Sequence, residues 1–294
     1  MTHPRIGKGV CILAGAIALA VSCAGPVSRP TPTAEWIRER RPSPVETSWS
    51  DTWVRPADGA VMVYVPAGEF LYGPGSTAEP PQQRVHLGAF WIDRTEVTNR
   101  QYALCVAAGA CHEPLLPGPY ADPERVDHPV IWIGRFEAEE YCRWAGARLP
   151  MEIEWEKAAR GTDGRRYPWG DVLDASRMNY YWSEVGTPRR VGSYPRGASP
   201  YGALDMSGNV YEWVQELWQT TDSYLQDPII PPGVRPKGRH PVGHHYTMRG
   251  GSWASLEEQV TTYSRNNEEP GWRTRDIGFR CACTPGVVGD TMVQ

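Results

Sequence analysis

The sequence predicts a loop-rich domain of short strands and short helices, and three observations predict it. Glycine (30) and proline (28) make up about a fifth of the 294 residues, below the level of a low-complexity chain but enough to keep every element short. Thirteen tryptophans against four phenylalanines argue against disorder, because indole on this scale needs burial. From about Asp58 onward, β-branched runs give way to helical segments with recognisable caps. The net charge of −4 makes a bulk nucleic-acid binder a poor reading. A mean hydropathy of −0.49 excludes a multi-span membrane protein.

The N-terminus reads as an export signal. Arg5 and Lys8 precede an apolar run from Val10 to Val21, too short for a transmembrane helix of about 20 residues but suited to a secretory signal. Leu19-Ala20-Val21-Ser22-Cys23 resembles a bacterial lipobox, in which cleavage exposes a cysteine that is then acylated. Ordinary cleavage after Ala20 or Ser22 would leave Cys23 incidental. Residues 1–22 are thus expected to be a lipoprotein-type signal peptide, and 23–57, with six prolines and with Arg38, Arg40 and Arg41, a semi-extended tether. The folded domain is expected over 58–284 and a tail over 285–294. The expected location is the bacterial cell envelope, membrane-anchored on the periplasmic or outer-membrane face.

Export permits disulfides. With Cys11 removed and Cys23 acylated, Cys105, Cys111, Cys142, Cys281 and Cys283 remain, so at least one thiol is unpaired within the chain. Cys105 and Cys111 flank Gly109 at a spacing that suits a local staple.

Within the domain, Val61–Val65 reads as a strand closed by Pro66-Ala67-Gly68, and Val85–Leu87 with Phe90–Ile92 suggests a further pairing. Thr98 followed by Gln101 forms a capping box, with Tyr102, Cys105 and Val106 on the apolar face and Gly109 as C′. A second helix is expected over Phe136–Trp144. A third places Pro150 in its first turn, Glu152 and Glu154 near its N-terminus, Lys157 and Arg160 near its C-terminus, and Gly161 at its end. Val210–Leu217 could be helix or strand.

Seven blocks then occur in one order: Glu69-Phe70, Glu96-Val97-Thr98-Asn99, Arg148 to Glu156, Tyr167-Pro168-Trp169-Gly170, Gly208 to Trp213, Arg249-Gly250-Gly251-Ser252-Trp253, and Ile277-Gly278-Phe279-Arg280-Cys281. Together they resemble the formylglycine-generating enzyme (sulfatase-modifying factor) family across about Asp58 to Cys283. The resemblance implies an α+β fold of the C-type-lectin-like kind, low in regular secondary structure. It also implies a Cys142–Cys281 disulfide, leaving Cys283 as the free thiol. A structural calcium site is implied at Asp205, Gly208, Val210 and Glu212, where hard oxygen ligands gather in a tight turn. The residue-level alternative is that Asp205 caps a turn and Glu212 pairs with an arginine. A second calcium site would use Asn179 and Tyr180, although its acidic partner is missing or replaced by Glu184.

One departure bears on activity. Members that make formylglycine bind copper through two cysteines after the Arg-Gly-Gly-Ser block, because monovalent copper takes soft thiolates. Here Ser255 stands at the first position and Gln259 or Val260 at the second, and no cysteine lies between Cys142 and Cys281. Formylglycine synthesis and copper are therefore not expected, and no catalytic residue is assigned. The favoured reading is a membrane-tethered, non-catalytic binding or scaffold module whose partner is a peptide, protein or glycan of the envelope. The alternative is a metal-dependent oxidase or other modifying enzyme using His240, His244 and His245. Pro241 and Gly243 argue against a helix there and place those histidines in a loop. Glu137, Glu139 and Glu140 read as a solvated helix face, and Glu257, Glu258, Glu268 and Glu269 as an acidic rim of the groove.

Overall fold

In the computed structural model, residues 52–74, 82–218 and 245–285 are described. Ten short strands and three helices of nine or ten residues, with a few single helical turns, account for the regular structure among them. The first sheet has the order β1-β2-β5-β10, from Thr52–Val54, Val61–Val65, Phe90–Asp93 and Ala282–Cys283, all antiparallel. Strand β1 lies in the stretch read as tether, so ordered structure begins before Asp58. The physical reason is Arg55, which is buried and bonded to Asp58 at 2.6 Å and Asp93 at 2.8 Å, tying the segment down.

Strands β3 (Gly68–Tyr72) and β4 (Gln83–Leu87) form a separate antiparallel pair. The expected pairing of Val85–Leu87 with Phe90–Ile92 is therefore corrected: the former pairs with β3 and the latter with β2. The third sheet has the order β8-β7-β6-β9, from Arg265–Glu268, Tyr246–Arg249, Tyr211–Leu217 and Ile277–Phe279. Its β6–β9 pair is parallel and the others antiparallel. The ambiguous segment after Gly208 is thus strand from Tyr211 onward.

Helix α1 (Asn99–Ala107) carries the Thr98–Gln101 capping box, and Gly109 follows it at φ 68°. Helix α2 spans Arg135–Trp144 and α3 spans Glu152–Arg160, ended by Gly161 at φ 72°. Pro150 precedes the Met151 cap and so stands outside the first turn, a correction to the position expected for it.

Helices α1 and α2 pack with β6, β7 and β9 around Tyr102, Tyr141, Trp213 and Phe279, and the Cys142–Cys281 disulfide lies in this core. The second disulfide joins Cys105 to Cys111, and Cys283 is a buried free thiol. Trp155 of α3 anchors another core against β2 and β5. A third, smaller cluster joins Tyr167, Met178, Tyr180 and Val260. Of the tryptophans, Trp155 and Trp213 are fully buried anchors, whereas Trp182 and Trp272 are exposed. No helix of the described residues is long and apolar enough to cross a membrane.

Candidate functional site

The Arg249-Gly250-Gly251-Ser252 block leaves β7 and turns back beneath Trp155. Gly251 has φ 72°, and a Cβ there would meet Val260 Cγ1 and the Gln259 carbonyl, each at 2.7 Å. Only glycine lets the turn approach the 259–260 segment this closely. Ser255 is buried, and its hydroxyl accepts from the Ser252 amide at 2.9 Å and donates to the Tyr211 hydroxyl at 3.0 Å. Ser252 Oγ stands 3.3 Å from it and bonds Asp276 at 3.2 Å. Val260 is buried among Tyr167, Met178 and Tyr180, while Gln259 is exposed and accepts from the Leu256 amide at 2.9 Å.

Both positions that a copper-binding pair would need are thus taken up otherwise. One is the Ser255 hydroxyl, satisfied inside a hydrogen-bonded ring, and the other is exposed Gln259 or buried Val260. Neither supplies the soft thiolate that monovalent copper selects. Beside them the surface is aromatic. Tyr181 donates its amide to the Ser255 carbonyl at 3.0 Å, and its exposed ring meets exposed Trp182 edge-on at 4.9 Å. Glu257, Glu258 and Glu269 are exposed near this loop, and Glu268 is half-buried in β8.

A second constellation lies behind β6. Asp205 is buried at φ 56°, and its Oδ2 accepts from the Gly192 amide at 2.6 Å. Glu212 is fully buried, held by Arg280 at 2.6 and 2.8 Å and by the Trp155 indole N–H at 2.8 Å. Gly208, at φ 80°, brings its Cα so near the Asn179 carbonyl that a Cβ would sit 2.1 Å from it. Asn209, at φ 65°, accepts from Asn179 Nδ2 at 3.3 Å and donates to Glu96 Oε1 at 2.8 Å.

Glu96 and Asp205 are both buried in this interior, and their carboxyl groups share a hydrogen bond. Burial pushes both above the ordinary carboxylate range, and the Asp205 charge raises Glu96 further. Glu96 Oε2 accepts no hydrogen bond, and neither does Asn179 Oδ1. Among the described residues no three His, Cys, Asp or Glu side chains converge as a metal-holding group, so a cation here would need main-chain carbonyls as well. The Asp205 and Glu212 carboxylates beside the Gly208 turn are hard oxygen donors of the kind that calcium takes.

Glu96 and Asn209 were missed as site residues by sequence reasoning, although both lie in the quoted blocks. The signal was an acid shortly before a capping box, with nothing local to pair it. Tyr180, the other residue of the second expected calcium set, gives its carbonyl to the Ser183 amide at 2.9 Å, and Glu184 is exposed. Glu137, read as solvated, instead accepts from the Gly134 amide at the start of α2, at 2.7 Å, and grips Arg273 at 2.7 and 2.9 Å. His245 Nδ1 lies 2.6 Å from Asn267 Oδ1. Cys23, His240 and His244 lie outside the described residues.

The chain matches the model of the sulfatase-modifying factor enzyme 1-like domain over residues 51–285. It is 33% identical over 243 residues to the serine/threonine-protein kinase pkn1 of Chlamydia caviae, covering 75% of this chain but only 37% of that protein. It is 31% identical over 306 residues to the formylglycine-generating enzyme of Streptomyces coelicolor, covering 82% of this chain and 95% of that one. Among solved structures, PvdO from Pseudomonas aeruginosa superposes with a TM-score of 0.64 at 25% identity, covering 81% of this chain and 99% of that one.

Proposed function

The chain belongs to the sulfatase-modifying factor enzyme 1-like domain family, and from that premise we propose that it is a membrane-tethered, non-catalytic binding or scaffold module of the cell envelope. The observation that carries this reading is Ser255, whose hydroxyl stands at the first copper-ligand position and is fully engaged with Ser252 and Tyr211. With Val260 packed into an apolar cluster, the loop is built to hold its shape. The exposed Tyr181–Trp182 pair beside it offers flat apolar area at low entropic cost, the kind of surface that peptides and glycans dock on. The partner is a peptide, protein or glycan of the envelope and not a nucleic acid.

The tether belongs to the same proposal. Acylation of Cys23 would anchor the chain, and more than one acyl chain is needed for stable attachment. A structural calcium ion would be held by the Asp205 and Glu212 side chains with the Gly208 and Val210 carbonyls. It would supply positive charge to a buried acidic turn and take no part in chemistry. We extend no calcium proposal to Asn179 and Tyr180, because the Tyr180 carbonyl is already engaged by the Ser183 amide.

Likeness to a formylglycine-generating enzyme keeps a metal-dependent oxidase as the second reading. Elemental analysis of the purified full chain separates the two. The binding reading expects no stoichiometric copper, iron or zinc. One redox metal per chain, lost on His244→Ala and His245→Ala, would overturn it in favour of an enzyme.

A further inference from the structure

Leu115, Leu116 and Trp272 are 58%, 48% and 51% exposed, on two loops far apart in sequence. The first tip runs from Leu115 to Gly118, four exposed residues in a row between Pro114 and Pro119. The second is a turn closed by the Trp272 amide on the Glu269 carbonyl at 2.8 Å, with Gly271 and Trp272 exposed. Trp132 joins the two. Its carbonyl accepts from the Leu115 amide at 3.2 Å, and its amide donates to the Thr274 carbonyl at 3.0 Å.

Both tips are held in place. Trp132 sits at φ 64°, a region that bulky side chains avoid, so the contacts around it enforce that conformation. The Arg135 amide donates to the Pro270 carbonyl at 2.9 Å, and Arg273 grips Glu137. Apolar side chains on fixed tips lose little entropy when they are covered. A projecting tip offers no concavity for a small molecule. Leu and Trp, by contrast, are side chains that enter the boundary between lipid headgroups and acyl chains. Of the charged residues next to the tips in sequence, Glu113, Glu269 and Arg275 are exposed, which leaves no positive surplus to draw anionic lipid.

We propose that these two tips dock the domain on a lipid bilayer, with Leu115, Leu116 and Trp272 inserted at headgroup level through apolar contact. The inference rests on the lipid-anchor reading and goes beyond it: the anchor brings the domain to the membrane, and the tips set which face it turns there. Thr52, the first residue of β1, stands 29 residues beyond Cys23, an extended reach of up to about 100 Å. Attachment at one end makes the second contact intramolecular, so a small patch can hold the domain on the surface.

The test uses the full chain, purified from bacterial membranes and reconstituted on vesicles of phosphatidylcholine, which carry no net charge. A nitrobenzoxadiazole label, whose emission reports its surroundings, is placed at Leu116→Cys or at Val172→Cys, a residue 78% exposed outside the two tips. The other cysteines of the domain are paired or buried, so the label goes to the introduced thiol. Emission from position 116 should shift to the blue and brighten on the vesicles, while that from position 172 stays as in water. Leu115→Ser in the chain labelled at 116 should weaken docking about tenfold, the scale of one buried apolar side chain. A chain that stays on the vesicles with a water-like signal from 116, or with equal shifts at both positions, would overturn the inference and leave the anchor standing. A shift at 116 that appears without vesicles and grows with protein concentration would also overturn it, and assign the tips to a second copy of the chain. Failure of the chain to stay on the vesicles would overturn the anchor and the inference together.

Discussion

Glu216 shows at the scale of one residue how burial sets charge in this domain. Its Oε2 accepts from the Glu152 amide, the first of α3, at 2.7 Å, a contact that favours the ionised form. Burial outweighs that contact, and with the Glu152 and Glu154 carboxylates nearby it pushes Glu216 up to about 8. The unfolded chain titrates near the ordinary glutamate value of about 4.3. The folded state therefore holds this proton more tightly than the unfolded state, and the associated stability is fully present below the unfolded value. It is lost as pH rises through about 8. Denaturant midpoints should fall between about pH 5 and pH 9 in the wild type, and Glu216→Gln should remove that part of the decline. Parallel profiles for the two proteins would show that Glu216 does not titrate in this window. Residues of this kind are illegible in sequence, because Glu216 reads as an ordinary polar strand position until the α3 terminus is placed against it. Ser255 is the opposite case: the resemblance alone sets a hydroxyl where a copper ligand is expected, and the fold only adds how that hydroxyl is satisfied.

At the scale of elements, α3 is the informative one. Its acidic start and basic end match the helix dipole, and that much is visible in the sequence. Every residue from Glu152 to Arg160 except Ile153 is buried, so these charges work through partners far along the chain. Glu154 takes both Arg148 nitrogens at 2.6 Å, and Glu152 takes Arg265. Glu156 binds Arg160, Arg249 and the Gly73 amide, while Lys157 reaches the Pro66 and Gly68 carbonyls. Helix period and caps are local and were legible; the arginines at 249 and 265 are brought in only by the third sheet. Removing one partner of a buried set leaves the others uncompensated. Glu156→Ala should therefore cost about 3–5 kcal/mol in chemical denaturation. Glu69→Ala, which breaks the exposed Glu69–Arg84 contact, should cost less than about 1 kcal/mol. Equal costs would mean that the α3 ion pairs are not desolvated as described. Strand pairing failed for a related reason: Val85–Leu87 and Phe90–Ile92 are adjacent in sequence, but each finds its register on a different earlier strand.

Across the whole molecule, regular structure is sparse and long-range ties replace it. The Cys142–Cys281 disulfide joins residues 139 apart, a closure that chain-entropy reasoning values at about 5 kcal/mol as an upper figure. Arg55 fastens the first strand, and Arg280 joins the turn at Leu204, the β5 end and β6. Gly and Pro at about one residue in five are the turns of this scaffold, and the fold class followed from them together with the order of the seven blocks. The central proposal is that this chain belongs to the family without performing its oxidative chemistry. The most direct measurement incubates the purified full chain with copper, oxygen and a cysteine-containing sulfatase peptide, and reads the peptide by mass spectrometry. The predicted result is a peptide whose cysteine is not converted to an aldehyde. Formylglycine accumulating in proportion to the chain, and absent without it, would contradict the reading of Ser255 and of Gln259 or Val260.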